Sequence, residues 1–283
     1  MAGFVLKWGT WSLDLSVRPL VMGVVNVTPD SFSDGGDFLA AETAIRQGLD
    51  LAAAGADILD LGGESTRPGA EFVSEEEEKA RVLPVIEALA GRIGIPISID
   101  TYKAGVARAA LAAGAAMVND ISAGLFQPEI LRVAARAGVP VALMHIKGEP
   151  RNMQKNPVYE DIMGEIKAFL ADAVRRAEEA GVRSDLIILD PGLGFGKTYD
   201  HNLILINRLG EFKTLGKPLL VGPSRKAFLG HVLGGAPPRE RDGATAVVAA
   251  LAAYNGADIL RVHQVRPVRE TMTVVRAVMA EHA

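Results

Sequence analysis

Cysteine is absent from this chain of 283 residues. Disulfides, thiolate nucleophiles and cysteine-ligated zinc are thereby excluded. Basic residues are not in excess: 30 Lys and Arg stand against 34 Asp and Glu, for a formal net charge of −4 and a pI near 5.8. That balance argues against a nucleic-acid-binding surface, and any anionic ligand must be held by a few placed cations. No apolar run is long enough to span a bilayer, and the opening MAGFVLKWGTWSLDL has no basic leader ahead of an apolar core. The expectation is a soluble cytoplasmic protein with neither a membrane nor a nucleic-acid partner. Aromatics are scarce at 5%, yet apolar residues reach 49% with Ala and Gly plentiful, which suits one large core and argues against disorder. Residues 1–283 therefore read as a single domain.

Eight apolar, strand-like runs follow one another, and each ends on a polar or charged residue just before a turn. They close on Asn26, on Asp60 and Glu64, on Asp100, on Asn119 and Asp120, on His145, on Asp190, on Ser224, and on Arg261 and His263. Between them lie helical stretches ending in a repeated junction, with Gly55, Gly114, Gly138, Gly181 and Gly256 where a helix needs a left-handed residue before the next strand. The recurrence predicts an α/β fold, a parallel (β/α)8 barrel, whose C-terminal strand ends open onto one mouth. A doubly wound open sheet is the competing fold, but it requires neither eight units nor a polar terminus on every strand. Ahead of the barrel, Val5 to Val17 holds two Trp-containing runs around Gly9-Thr10, so residues 1–18 read as a β-hairpin closing the barrel floor.

Two strand-to-helix loops are long: Thr28 to Ala40, and Gly63 to Ser74. Rich in Gly, Pro, Ser, Thr and Asp, they suggest mobile, hydrogen-bonding lids. A third, Lys226 to Gly243, contains a short helix of its own. The stretch DPGLGFGKT imitates two phosphate-binding motifs and satisfies neither. A P-loop needs Gly where Pro191 stands, and a dinucleotide fingerprint needs Gly where Lys197 stands.

In chain order the strand ends read NVTPDSFSDGG, GGESTRPGA, SIDTYK, NDIS, LMH, DPGLGFGK, VGPSRKAFLG and RVH. Each motif is weak alone. Together, in register, they closely resemble the dihydropteroate synthase family of pterin-binding barrels. One departure is Gln264, where the family more often has Asp, just past the key Arg261–His263 pair. The resemblance implies a transferase of folate biosynthesis, a sulfonamide target. It would condense 7,8-dihydropterin-6-ylmethyl diphosphate with p-aminobenzoate, giving dihydropteroate and diphosphate.

That reaction assigns work to the strand ends. A pterin edge offers guanidine-like donors and a carbonyl, so Asp100, Asn119 and Asp190 serve as its partners, with Lys226 near the ring carbonyl and Arg261 beside it. Departing diphosphate gathers negative charge, for which Arg67, Arg261 and His263 are suitable cations and Asn26 and Thr66 neutral donors. The family pattern adds Mg²⁺ at Asn26, bound through the diphosphate, and Asp34 positioned when the first loop closes. Magnesium often takes one or two protein ligands plus phosphate oxygens, so the lack of a carboxylate cage is no objection. Phe32, Pro68 and Phe195 would enclose the p-aminobenzoate ring, while Ser224 and Arg225, opening a helix with Lys226, would meet its carboxylate. The resemblance also implies a homodimer.

Taken singly, these residues have plainer readings: Asp190 a turn residue before Pro191, Asp100 a helix cap, Arg67 a solvated loop cation. Convergence on one mouth favours the functional reading. A metal-dependent barrel hydrolase would begin with His-x-His on the first strand, where Asn-Val-Thr stands. A pterin-dependent methyl-transfer domain would leave Arg67, Arg261 and His263 without a shared purpose. A catalytically silent pterin-binding paralogue is the remaining alternative.

Overall fold

The computed structural model describes residues 3–27, 36–66 and 69–280, with side chains in the first helix from residue 40 onward. A hairpin of β1 (Val5–Trp8) and β2 (Trp11–Asp14) comes first, paired antiparallel with Trp8 opposite Trp11. Alternation decides its faces: Leu6 and Trp8 point into the main core while Val5 and Lys7 face solvent.

Eight strands then follow as the sequence suggests. They are β3 (Leu20–Asn26), β4 (Ile58–Gly62), β5 (Ile97–Asp100), β6 (Met117–Asp120), β7 (Val141–Met144), β8 (Ile187–Asp190), β9 (Leu220–Val221) and β10 (Ile259–Val262). All pair in parallel, in the order β8-β7-β6-β5-β4-β3-β10-β9. A single parallel bridge, Leu189 to Leu219, joins β8 to the start of β9, and Leu189 N–H donates to the Pro218 carbonyl at 2.9 Å. The sheet thus curls into a nearly closed barrel. Its strands are buried on both faces, which is why they read as unbroken Val, Ile and Leu runs rather than alternating ones.

The surrounding helices are α1 (Gly36–Ala53), α2 (Glu75–Ala90), α3 (Ala104–Ala112), α4 (Glu129–Ala137), α5 (Ile162–Glu179), α6 (Tyr199–Asn207), α7 (Ala227–Val232), α8 (Asp242–Tyr254) and α9 (Val265–Ala280). The five junction glycines have φ from 65° to 116°, a region closed to most side chains. The first long loop is shorter than expected, because α1 already begins at Gly36. The second ends as expected at Ser74, whose hydroxyl caps α2 by accepting Glu77 N–H at 3.2 Å. The short helix expected in the third loop is α7.

The hairpin lies at the N-terminal ends of the strands. Lys213 Nζ sits 5.2 Å from the Phe4 ring centre and bonds Asp258, the residue just before β10. Near it, Asp57, just before β4, accepts both terminal nitrogens of Arg18 at 2.8 and 2.6 Å, Val21 N–H at 2.9 Å and Arg269 at 3.1 Å. One carboxylate thereby fastens the chain entering the barrel to α9. Contacts at this end of a barrel serve stability rather than chemistry. Asp57→Ala should cost about 2 kcal/mol, because partly buried donors lose their acceptor. In a chain of this size that lowers Tm by roughly 4–8 °C. Differential scanning calorimetry checks the shift, and turnover below the midpoint should be unchanged.

Candidate active site

The C-terminal strand ends meet in one pocket. Its polar wall is Thr66, Asp100, Asn119, Asp190, Lys226 and Arg261; its apolar wall is Ile121, Met144, Leu193 and Phe195. Barrel closure brings these together from seven different strand ends and their loops.

Arg261 organises the floor. Its Nε donates to Asp60 Oδ2 at 2.6 Å and its Nη2 to Asp100 Oδ2 at 2.6 Å. Asn119 Nδ2 donates to the same Asp60 oxygen at 3.0 Å, which leaves the Asn119 carbonyl oxygen as an acceptor. The Oδ1 atoms of Asp60 and Asp100 are buried and have no hydrogen-bond partner among the described residues. Asp190 Oδ1 accepts Gly192 N–H at 2.7 Å, so its second oxygen remains for a ligand. Lys226 Nζ stands 4.2 Å from the centre of the Phe195 ring.

Crowding of charge in a dry site sets the protonation states. Burial pushes the Asp100 carboxyl up to about 7, although Arg261 pulls it down. Burial likewise raises Asp190 to about 6, opposed first by the Gly192 N–H. Poorly solvating surroundings, with Arg261 adding repulsion, bring Lys226 down to about 8. For Arg261 burial works against the charge, but Asp60 and Asp100 outweigh it and hold the guanidinium above its ordinary value. The result is a set of donors and acceptors poised around neutrality.

Beside this pocket, His263 Nδ1 lies 2.9 Å from Ser224 Oγ, and His263 N–H donates to the same hydroxyl at 3.2 Å. Asn26 ends β3 opposite Gly62. Two arrangements differ from expectation. Arg225 does not offer a free cation: its Nε and Nη2 grip Asp242 at 2.7 and 2.8 Å, and its N–H donates to Thr245 Oγ1. The reason is a turn with φ 56° at Arg225, which sends the side chain toward the start of α8. Second, Arg261 is tied to the acids Asp60 and Asp100, while His263 lies against Ser224. Phe32, Asp34, Arg67 and Pro68 lie outside the described residues.

The model of the pterin binding enzyme family matches residues 22–263. A dihydropteroate synthase from Synechocystis sp. is 50% identical over 272 residues, covering 96% of this chain and 94% of that protein. The chain belongs to the dihydropteroate synthase family of pterin-binding enzymes. Its fold is similar to that of Yersinia pestis dihydropteroate synthase with a sulfonamide drug complex, at a TM-score of 0.92 and 45% identity over 98% of this chain and 100% of that one. It is also similar to the Xanthomonas albilineans enzyme in complex with 7,8-dihydropteroate, at a TM-score of 0.86 and 44% identity over 95% and 96% of the two chains.

Sequence reasoning placed Asp60 at a strand end but gave it no role. The signal was present: a carboxylate at a strand end between apolar neighbours is almost never fully buried without a cationic partner. Ile121 and Met144, lying inside or beside the quoted motifs, were also given no role.

The raised carboxyls predict how stability follows pH. A carboxyl with a higher pKa folded than unfolded binds its proton more tightly in the native state. Its contribution is complete below the unfolded value and is lost as pH climbs through the folded one. The ligand-free enzyme should therefore lose stability between about pH 4 and about pH 7 through Asp100. Asp100→Asn cannot titrate, so its stability relative to the parent should improve across that interval in urea titrations. A difference independent of pH would contradict the assignment.

Proposed function

We infer from family membership and this pocket that the chain condenses 7,8-dihydropterin-6-ylmethyl diphosphate with p-aminobenzoate, releasing diphosphate. The single observation that carries the reading is the buried acid–base floor. Asp100, Asp190 and the Asn119 carbonyl oxygen give acceptors at the depth where a pterin presents its exocyclic amine and ring N–H groups. Lys226 and Arg261 give donors for the ring carbonyl, and Met144, Ile121 and Phe195 supply the flat apolar walls such a ring needs.

Above the floor, His263, Thr66 and the cation Arg67 are assigned to the diphosphate, with Asn26 alongside. Breaking the C–O bond moves charge onto that group, and donors fixed before the reaction stabilise it without reorganisation. An arylamine is neutral at pH 7 and carries a free lone pair, so no strong general base is required. The step is read as dissociative: diphosphate leaves, the pterin spreads the positive charge of the methylene, and the amine attacks. Ser224, the Arg225 turn and Phe195, with Phe32 and Pro68, are assigned to p-aminobenzoate. Asp34 is assigned a supporting position on the first loop.

Among the described residues no group of three His, Asp or Glu could cage a metal. Asn26 offers one neutral oxygen, which fits an ion that arrives with the substrate and keeps its waters. Mg²⁺ bound there would neutralise diphosphate charge. Asn26 would orient it while the protein's own cations hold the leaving oxygens.

Homodimer formation is part of this reading. Adjoining helices α6, α7 and α8 expose Leu203, Val232, Leu233, Val247, Leu251 and Tyr254, a wide apolar face to leave in water. No helix among the described residues is long and apolar enough to cross a membrane. A cysteine-free, acidic chain using phosphorylated substrates fits the cytoplasm.

Diphosphate release that depends on p-aminobenzoate tests the reaction; release without the amine, or none at all, would overturn it. Lys226→Ala should lower turnover by about 10²–10³ with the fold kept, the usual cost of one preorganised donor. Near-parental turnover would place Lys226 outside the chemistry. Light scattering at micromolar concentration should give twice the 29.9 kDa chain mass, and a species of 29.9 kDa alone would refute the dimer.

A further inference from the structure

One buried ionic cluster has no part in the reaction as read above. Lys103, in the turn between β5 and α3, is 2% exposed. Its Nζ lies 2.7 Å from Glu64 Oε2 and 2.5 Å from Glu78 Oε2. Glu78, in the first turn of α2, is fully buried. Two carboxylates against one ammonium is an expensive arrangement to keep out of water, and removing the ammonium leaves both carboxylates without a partner. Burial accordingly pushes the Glu78 carboxyl up, with Lys103 pulling the other way. An apolar cluster would hold α2 to the barrel more cheaply, so the cluster's purpose lies in what it fixes.

What it fixes is the stem of the second long loop. Glu64 stands at the loop's start, and its Oε1 accepts Val73 N–H at 3.2 Å from the loop's end and the Tyr102 hydroxyl at 3.3 Å. One side chain therefore ties the two ends of the loop to each other and to the next turn. Gly63 seats the stem flush on α2: a Cβ there would be 2.8 Å from Val82 Cγ1 and 3.0 Å from Glu78 Cγ. The Gly63 carbonyl accepts Arg81 Nη1 at 2.7 Å. Two residues beyond Glu64, Thr66 lines the pocket beside Arg261.

We propose that Glu64 and Lys103 are positioning residues, whose ion pair, anchored by Glu78, sets where Thr66 stands over the diphosphate half of the substrate. The proposal rests on the reading of the mouth as the condensation site. Its physical content is preorganisation: a loop with a loose stem must be ordered when the substrate binds, and affinity falls by the fraction of molecules already competent. The groups assigned to the pterin edge, Asp100, Asn119, Asp190 and Arg261, hold hydrogen bonds to one another, to Asp60 and to Gly192 N–H rather than to Glu64, Lys103 or Glu78.

The test compares two ligands. Lys103→Met strands two buried carboxylates whereas Glu64→Gln leaves the Lys103–Glu78 pair, so the neutral triple variant Glu64→Gln/Lys103→Met/Glu78→Gln is made beside them to remove the three charges together. Thermal midpoints are recorded, and kcat and KM are measured well below each midpoint. Binding of 6-hydroxymethyl-7,8-dihydropterin, which lacks the diphosphate, is titrated alongside. Displacing a positioning contact costs up to about 10²-fold, so the triple variant should fold and lose roughly 10–100-fold in kcat/KM for the diphosphate substrate. Its affinity for the diphosphate-free pterin should stay at the parental value. Parental kcat/KM in the triple variant would overturn the proposal, as would an equal loss for both ligands, which marks general damage. A parental enzyme that fails to condense the substrates would instead overturn the reading of the mouth.

Discussion

The Arg261 guanidinium, held between Asp60 and Asp100, is the interaction on which the mouth depends. Its two partners are 201 and 161 residues away in sequence, on β4 and β5, so the contact exists only once the barrel has curled. Each N–H is aimed at its own carboxylate, the geometry for which arginine rather than lysine is suited. Counting the neighbouring groups, Asp60, Asp100 and Asp190 face Arg261 and Lys226, three acids against two bases. A dry site resists such an excess, and the proton held by Asp100 up to about pH 7 is the relief. A ligand edge rich in N–H donors relieves it differently, by supplying donors where the proton stood.

This pairing also explains the division between the two ends of the barrel. At the opposite, N-terminal end, Asp57 and Asp258 are spent on the fold: each accepts a side-chain cation and a backbone N–H. At the mouth, carboxylate oxygens are left without partners. The same residue type, at opposite ends of adjacent strands, is closed where it holds the fold and open where it meets a ligand. The buried Glu64–Lys103–Glu78 cluster is intermediate, paired through Lys103 yet with Glu78 Oε1 left without a partner among the described residues, and it stands behind the loop that carries Thr66.

Most of the barrel was legible in the sequence because its signal is local. Parallel strands buried on both faces must be apolar, helices must end, and glycine is the cheapest way to turn out of one. What was illegible depends on distance. Nothing near Arg225 in sequence announces that Asp242 will take its guanidinium, and nothing near Asp60 announces Arg261. Both facts follow from closure and from the φ of a single turn. The residue types at the strand ends could be read; which of them spend their hydrogen bonds on one another could not. The start of α1 at Gly36 was missed for a related reason, since Gly-Gly-Asp reads locally as a turn.

The glycine-rich turn after β8 shows how a motif can mislead about ligands while being strict about packing. Gly192, at φ 72°, lies so close to the end of β7 that a Cβ would stand 2.0 Å from the His145 carbonyl oxygen. A Cβ at Gly196 would be 2.4 Å from the Lys147 carbonyl oxygen. Backbone cannot move aside as a side chain can, so the turn is moulded against the preceding strand end, and no phosphate is needed to explain its glycines. Lys197 completes the mould: buried, it donates to the Phe195 carbonyl at 3.0 Å and lies 2.9 Å from His145 Nδ1. Burial drives both groups toward their neutral forms, with Lys197 adding repulsion to His145 and Asp190 pulling Lys197 back toward its charged form. The two can therefore share a hydrogen bond. The consequence reaches the chemistry through Phe195, whose ring is fixed under Lys226 because its own carbonyl is pinned from behind. A motif that resembles a phosphate cradle is thus spent on placing one aromatic ring and, with it, the ammonium of Lys226.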